Sequence, residues 1–144
     1  MGTKSIREII EGAIVAHLAA QTELAGVNIY KGLEVTTDTL PQAIVSCESV
    51  GNPPDLPEGL GNYNATVNVH LYTSADSSNA LTNHRDRSAG ILGAMQNLSA
   101  IKTVFTTQGD ATCYDVTFET VDDGRGDRAL GTMATFSVAV VLPA

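Results

Sequence analysis

Three stretches of this chain alternate apolar and polar residues with a period of two, and this pattern constrains the fold more than any other feature. In residues 66–72, aliphatic side chains at every second position alternate with Thr, Asn, His and Tyr. Residues 113–119 and 135–140 repeat the alternation. Because successive side chains of a strand point to opposite faces, each stretch is typical of a β-strand with one buried face. The sequence therefore predicts a sheet with an apolar face that other elements must cover.

Two other segments have the helical period. Residues 6–18 carry apolar side chains three and four positions apart, and Ser5 and Glu8 have the spacing of a capping box at the start of the helix. A second helix is predicted after the polar cluster that follows strand 66–72, and it extends to about Leu98. The pattern of residues 101–108 is ambiguous, and we expect a helical turn followed by a loop that ends at Gly109.

The order of the predicted elements is α-β-β-β-α-β-β, within one domain of 144 residues. Because sequential strands are joined by short polar links, antiparallel pairing is favoured. We therefore predict an α+β fold with a mostly antiparallel sheet of about five strands and two helices on one face. The core would combine helix 6–18 with apolar residues of the second helix and of the strands: Ile91, Leu92, Met95, Leu98, Val67, Val69, Leu71, Val116, Phe118, Val138 and Val140.

The charge balance and the hydropathy exclude several classes of protein. Eight basic residues stand against sixteen acidic ones, a formal net charge of −8. A surface of this sign repels phosphate, which excludes a general nucleic-acid binder and argues against docking on anionic membranes. No stretch approaches the roughly 18 apolar residues of a membrane span, and the N-terminus does not match a signal peptide. We expect assembly in a reducing cytoplasm, with Cys47 and Cys113 as buried free thiols.

The residue types that carry out catalysis do not form any recognisable constellation. His17, His70 and His84 each lack a second ligand at metal-binding spacing, and no serine or cysteine lies in a nucleophile motif. We therefore expect no catalytic residue, no metal and no cofactor.

Residues 51–61 form the longest segment without a periodic pattern. They include three of the five prolines and three glycines, which excludes a helix or an interior strand. Loops of this length in a small domain are usually functional. We predict that the segment is an arm that contacts a neighbouring subunit or ring. The alternative is that its two leucines fold back onto their own domain. The proposed contact residues are Pro53, Pro54, Leu56 and Leu60.

The architecture resembles a known family. The features that carry the resemblance are the opening helix Ile6-Arg7-Glu8-Ile9-Ile10 before a short strand pair, the strand 67–72 leading into the second helix, and a final strand pair at 112–120 and 132–142. In these features the chain resembles, over nearly its whole length, the tail-terminator family of long-tailed bacteriophages and the related tail-completion and head–tail joining proteins. The likeness lies in the order of elements and in no residue motif.

The resemblance implies a structural virion protein without catalytic residues. Such a protein forms a ring, usually a hexamer, that terminates the tail tube and joins it to the head. Its partners would be the tail tube protein and the head-connector or neck proteins, and its location would be the virion after assembly in the host cytoplasm. DNA would pass through the ring without specific binding, and an acidic wall would repel its phosphates.

If the chain forms a ring, the acidic residues near the end of the chain are candidates for lining its lumen. Asp115 and Glu119 are expected on the outward side of one strand, and Asp122 and Asp123 in the glycine-rich link that follows it. We predict that some of these four residues line the lumen of the ring. The alternative is a solvated outer surface.

Two other functions are compatible with the sequence. The first is a small-molecule-binding or enzymatic α+β domain of a bacterial cytoplasm, which would require a pocket with convergent polar groups. The second is an adaptor that binds one partner by adding a strand. The mass in solution separates these functions, since a ring is a large multiple of the single chain.

Overall fold

The computed structural model describes residues 5–32, 40–51, 62–76, 78–126 and 129–142. Its five strands form one sheet in the order β1-β2-β3-β5-β4. The predicted α+β class and the five-stranded sheet are confirmed, although the described residues form three α-helices and not two. The elements are α1 (Ile6–Ala19), a 3-10 turn (Thr22–Leu24), β1 (Asn28–Lys31), β2 (Gln42–Gly51), β3 (Asn62–Ser74), α2 (Ala80–Gln96), α3 (Leu98–Gln108), β4 (Thr112–Arg125) and β5 (Ala129–Val141).

The strand directions agree with the prediction except at one edge. The pairs β2–β3, β3–β5 and β5–β4 are antiparallel. β1 runs parallel to β2, with Asn28 opposite Gln42 and Lys31 opposite Val45. Alternation shows which face of a strand is buried and does not show its direction, so the sequence could not predict this pairing.

One face of the sheet, here called the helix-side face, packs against the helices and forms the core. On β3 and β5 every second residue points to it and is buried, and cross-strand pairs such as Val67–Phe136 and Val69–Ala134 fill it. α1 contributes the buried stripe predicted from residues 6–18, beginning at a Ser5 cap that accepts from the Glu8 amide at 3.2 Å. The opposite side is called the second face.

The segment 101–108, for which the pattern predicts a helical turn followed by a loop, is the greater part of α3. Asn97 ends α2, and its side chain accepts from the amide of Ala100 at 3.3 Å, which caps α3. Ile101 and Phe105 of α3 are fully buried in the core. The predicted second helix is therefore two helices with a break at Asn97.

β4 differs from the prediction in its length and its burial. It continues to Arg125, so Asp122 and Asp123 lie in the strand and not in a following link. Pairing with β5 along its length outweighs the low strand propensity of aspartate and glycine. Phe118 was expected in the core, but it is 47% exposed, because β4 is an edge strand and the helices cover little beyond its start. Val116 is partly buried.

Both cysteines are buried and free, as predicted. Burial raises the pKa of the Cys47 thiol to about 11, and the neighbouring Glu11 carboxylate acts in the same direction. Burial likewise raises the pKa of Cys113 to about 11. Glu11 also accepts a hydrogen bond from the backbone amide of Cys47 at 2.8 Å, which ties α1 to β2.

Candidate functional site

A groove of about 450 Å³ lies between α2 and the turn end of the β4–β5 hairpin. We call it the α2–hairpin groove. Leu81, Leu92 and Leu130 supply apolar walls, and Leu81 is 51% exposed. Exposed guanidinium groups of Arg85 and Arg125 lie on its lining. Its remaining lining residues are His84, Ser88, Ala89, Asp123, Gly124, Gly131 and Thr132.

A chain of four hydrogen-bonded side chains lies beneath the groove. Thr73 Oγ1 is 2.7 Å from Nδ1 of His84, and Nε2 of His84 is 2.6 Å from Thr132 Oγ1. Thr132 Oγ1 in turn donates to the Asp123 carboxylate at 2.6 Å. The chain connects α2 to β3, β5 and β4, and so fixes the helix to three strands.

The carboxylate at the end of the chain determines the tautomer of His84. The single hydroxyl proton of Thr132 is donated to Asp123, so Thr132 must accept from Nε2–H of His84. Nδ1 of His84 then accepts from the hydroxyl of Thr73. Burial lowers the pKa of His84, and the nearby Asp123 carboxylate opposes that shift. The ring is therefore a neutral structural group with both nitrogens occupied.

The other two histidines also have structural surroundings. His17 is buried, and its Nε2 donates to the backbone carbonyl of Ala94 at 2.8 Å, joining α1 to α2. His70 stacks on Tyr72 on the second face with 6.2 Å between ring centroids. Burial lowers the pKa of His70.

The second face carries polar cross-strand contacts. Ser137 donates to Asn64 at 2.7 Å, and Thr135 donates to Asn68 at 2.9 Å, so β3 and β5 are joined by side chains as well as by the backbone. The Asn68 amide also donates to Glu48 at 3.1 Å. These short polar groups provide a surface suited to many small hydrogen bonds.

The four acidic residues predicted near the end of the chain are all exposed on β4, but they do not form one cluster. Asp115 and Asp122 pair with Ala139 and Met133, which places them on the second face. Asp123 pairs with Thr132 on the helix-side face and accepts its hydroxyl proton. Glu119 is skipped at a β-bulge between Phe118 and Thr120.

The predicted arm residues Pro53, Pro54, Leu56 and Leu60 lie outside the described residues. The two ends of their segment are described. Gly51 pairs with Asn64, and Asn62 pairs with Val141. The segment therefore leaves and re-enters the sheet at the end opposite the α2–hairpin groove.

Neither a cluster of metal ligands nor a helix able to span a membrane occurs among the described residues. Histidine, cysteine and carboxylate side chains do not come together there in any group of three or more suited to a metal ion. None of the described helices is both long enough and apolar enough to cross a bilayer.

Comparison with known proteins yields a likeness of fold. No model of a known protein family matches the sequence, and no curated protein matches it. Among solved structures, the chain is similar to one from "Virion of native gene transfer agent (GTA) particle", with a TM-score of 0.66 and 11% sequence identity. The similarity covers 92% of this chain and 94% of that chain. The two chains therefore share one architecture from end to end.

Proposed function

We propose that this chain is a structural protein of a phage-like virion, one subunit of a hexameric ring that terminates the tail tube and joins it to the head. The observation that carries the proposal is the end-to-end similarity to a chain of a gene transfer agent virion. A match over 92% and 94% of the two chains reflects the whole fold, where a shared supersecondary motif would cover only a part. The assignment to the tail terminus rests on the order of elements that the chain has in common with tail-terminator proteins.

The free edge of β4 supports assembly into a ring. Among the described residues, β4 pairs only with β5, so one edge of a 14-residue strand is available. Tyr114, Phe118 and Val121 are exposed along it. The acidic residues of β4 and its two register shifts oppose pairing with a second copy of the same strand. Contacts between unlike surfaces are the kind that close into rings.

The acidic residues have a role in this proposal. Asp115 and Asp122 are exposed on the second face, and we propose that these two of the four predicted residues line the lumen. Carboxylates on the wall would let DNA pass without binding it, because they repel its phosphates. The tail tube protein and the head-connector or neck proteins would be the ring's partners.

The α2–hairpin groove favours one alternative, a small-molecule-binding domain. A groove of about 450 Å³ lies within the usual size of a ligand site, and it has polar groups on its floor. The neutral His84 argues against a catalytic role for the groove, because its side chain is only 5% exposed and both ring nitrogens are hydrogen-bonded.

Measurement of mass and shape in solution tests the proposal. Six subunits of 15.0 kDa give a particle of about 90 kDa, and negative-stain images should show rings. The same measurement should be repeated with the partner tail tube protein, since some rings close only on their partners. A chain that stays monomeric alone and with tail and neck proteins, and whose melting temperature rises with a small molecule, would favour the alternative.

A further inference from the structure

We infer that the α2–hairpin groove is the receptor for residues 52–61 of a second copy of this chain. The inference rests on the proposed ring, and it names the surface on which the predicted arm docks. It follows from the chemistry of the two surfaces and from their positions on the sheet.

The groove and the segment are complementary in polarity and in charge. The groove has leucine walls, and it has two guanidinium groups against the single carboxylate of Asp123, which is already engaged by Thr132. Arg85 and Arg125 form no ion pair with any described residue. The segment 52–61 contains two leucines, two acids (Asp55 and Glu58) and no basic residue. Because the chain has a net charge of −8, an apolar groove with two arginines and one carboxylate differs in charge from the molecule as a whole.

The segment cannot reach the hairpin end of the groove in its own chain. Leu71, which pairs with Thr132 in the groove, lies nine residues along β3 from Asn62, about 30 Å at the rise of a strand. A segment of ten residues that must leave and return to adjacent strands extends about 17 Å at most. An occupant of the hairpin end must therefore come from another copy. Because the donor and the receptor surfaces differ, the contact is head-to-tail and can repeat around a ring.

Cysteine cross-linking between two variants tests this contact. Leu56→Cys protein is mixed with Leu81→Cys protein under mild oxidation, and non-reducing electrophoresis detects a covalent dimer. The native thiols do not compete, since both are buried and protonated at neutral pH. We expect a cross-link for this mixture above the level of each variant alone. Leu56→Cys mixed with Thr106→Cys, an exposed position on α3, is the matched control and should give none.

A charge swap adds a second measurement. Arg85→Glu with Arg125→Glu should weaken association by about tenfold, since two rim ion pairs become repulsive. Adding Asp55→Arg and Glu58→Arg to that variant should restore association.

The outcomes distinguish this docking from the ring itself. Rings that form normally while the mixture gives only background cross-linking would overturn the docking and leave the ring intact. A monomer without any cross-link would count against both. Cross-linking of Leu81→Cys only to a tail or neck protein would assign the groove to that partner and overturn the inference.

Discussion

At the scale of single residues, the most consequential side chain is His84. It connects Thr73 to Thr132, and the latter binds Asp123, so its loss removes the described partner of the buried Thr73 hydroxyl and one of the two partners of Thr132. We expect His84→Asn to lower the free energy of unfolding by about 1–3 kcal/mol, the cost of unsatisfied buried polar groups. Urea denaturation measures this cost. His70→Asn, at a partly exposed position, is the control and should cost less. Ring assembly of His84→Asn should persist; its loss would show that His84 does more than stabilise the fold.

The same histidines predict how stability depends on pH. Burial lowers the pKa of both His84 and His70 in the folded protein, below the ordinary value of 6.5. When the pH falls below about 6.5, the unfolded chain therefore binds protons first, and the free energy of unfolding decreases. Above that pH both states are neutral at these residues, and they contribute no slope. We expect a lower melting temperature at pH 5 than at pH 7, and a shallower decrease in His84→Asn. If the melting temperature decreased equally in the variant and the parent, His84 would be excluded as a source of the pH dependence.

At the scale of elements, the core depends on α1 and the interior strand β5. Ile14 of α1 and Val138 of β5 are both fully buried in the core. We expect Ile14→Asp or Val138→Asp to cost several kcal/mol, since each buries an unpaired charge. Thermal unfolding provides the measurement. Ala16→Asp, on the exposed side of α1, is the control and should change stability little. Unchanged melting temperatures in both core variants would refute the assignment of the helix-side face.

The edge position of β4 predicts unequal roles for two phenylalanines in contact. Phe118 and Phe136 meet edge-to-face with ring centroids 5.9 Å apart, yet Phe136 is buried and Phe118 is half exposed. We expect Phe136→Ala to cost about 3–5 kcal/mol, the usual price of a large core truncation. Phe118→Ala should cost about 1 kcal/mol, the value of one aromatic pair. Chemical denaturation of both variants measures the two losses in the free energy of unfolding. Similar losses would mean that the edge of β4 is covered in solution.

At the scale of the whole molecule, Gly51 and Asn62, which flank the predicted arm, lie at the end of the sheet opposite the proposed receptor. Replacing residues 52–60 with a short Gly-Ser link should leave a normally folded protomer, because the strands on both sides keep their own pairing. The same protein should fail to join its neighbours, as measured by the particle mass. A protomer that melts much earlier would favour leucines folded onto their own domain. Normal assembly of virions would exclude a joining role for the segment.

The sequence by itself determined the features that depend on each residue's own burial. The spacing of apolar residues indicates which side chains are buried. The strands predicted from residues 66–72 and 135–140 and the helix predicted from residues 6–18 are all present. From them the α+β class and most of the core could be predicted. The capping residue Ser5 is equally local, since its hydrogen bond spans three residues.

The tertiary structure alone decided which elements become neighbours. The strand order makes β4 an edge strand. Phe118 is therefore half exposed, although residues 113–119 alternate like a strand with one buried face. The partners of His84 lie 11 and 48 positions away in the sequence, so no spacing rule could find them. The α2–hairpin groove has the same origin, since α2 and the hairpin meet only after the chain has closed its long-range contacts. Periodicity indicates whether a side chain is buried, but it does not indicate which residues of other elements that side chain contacts.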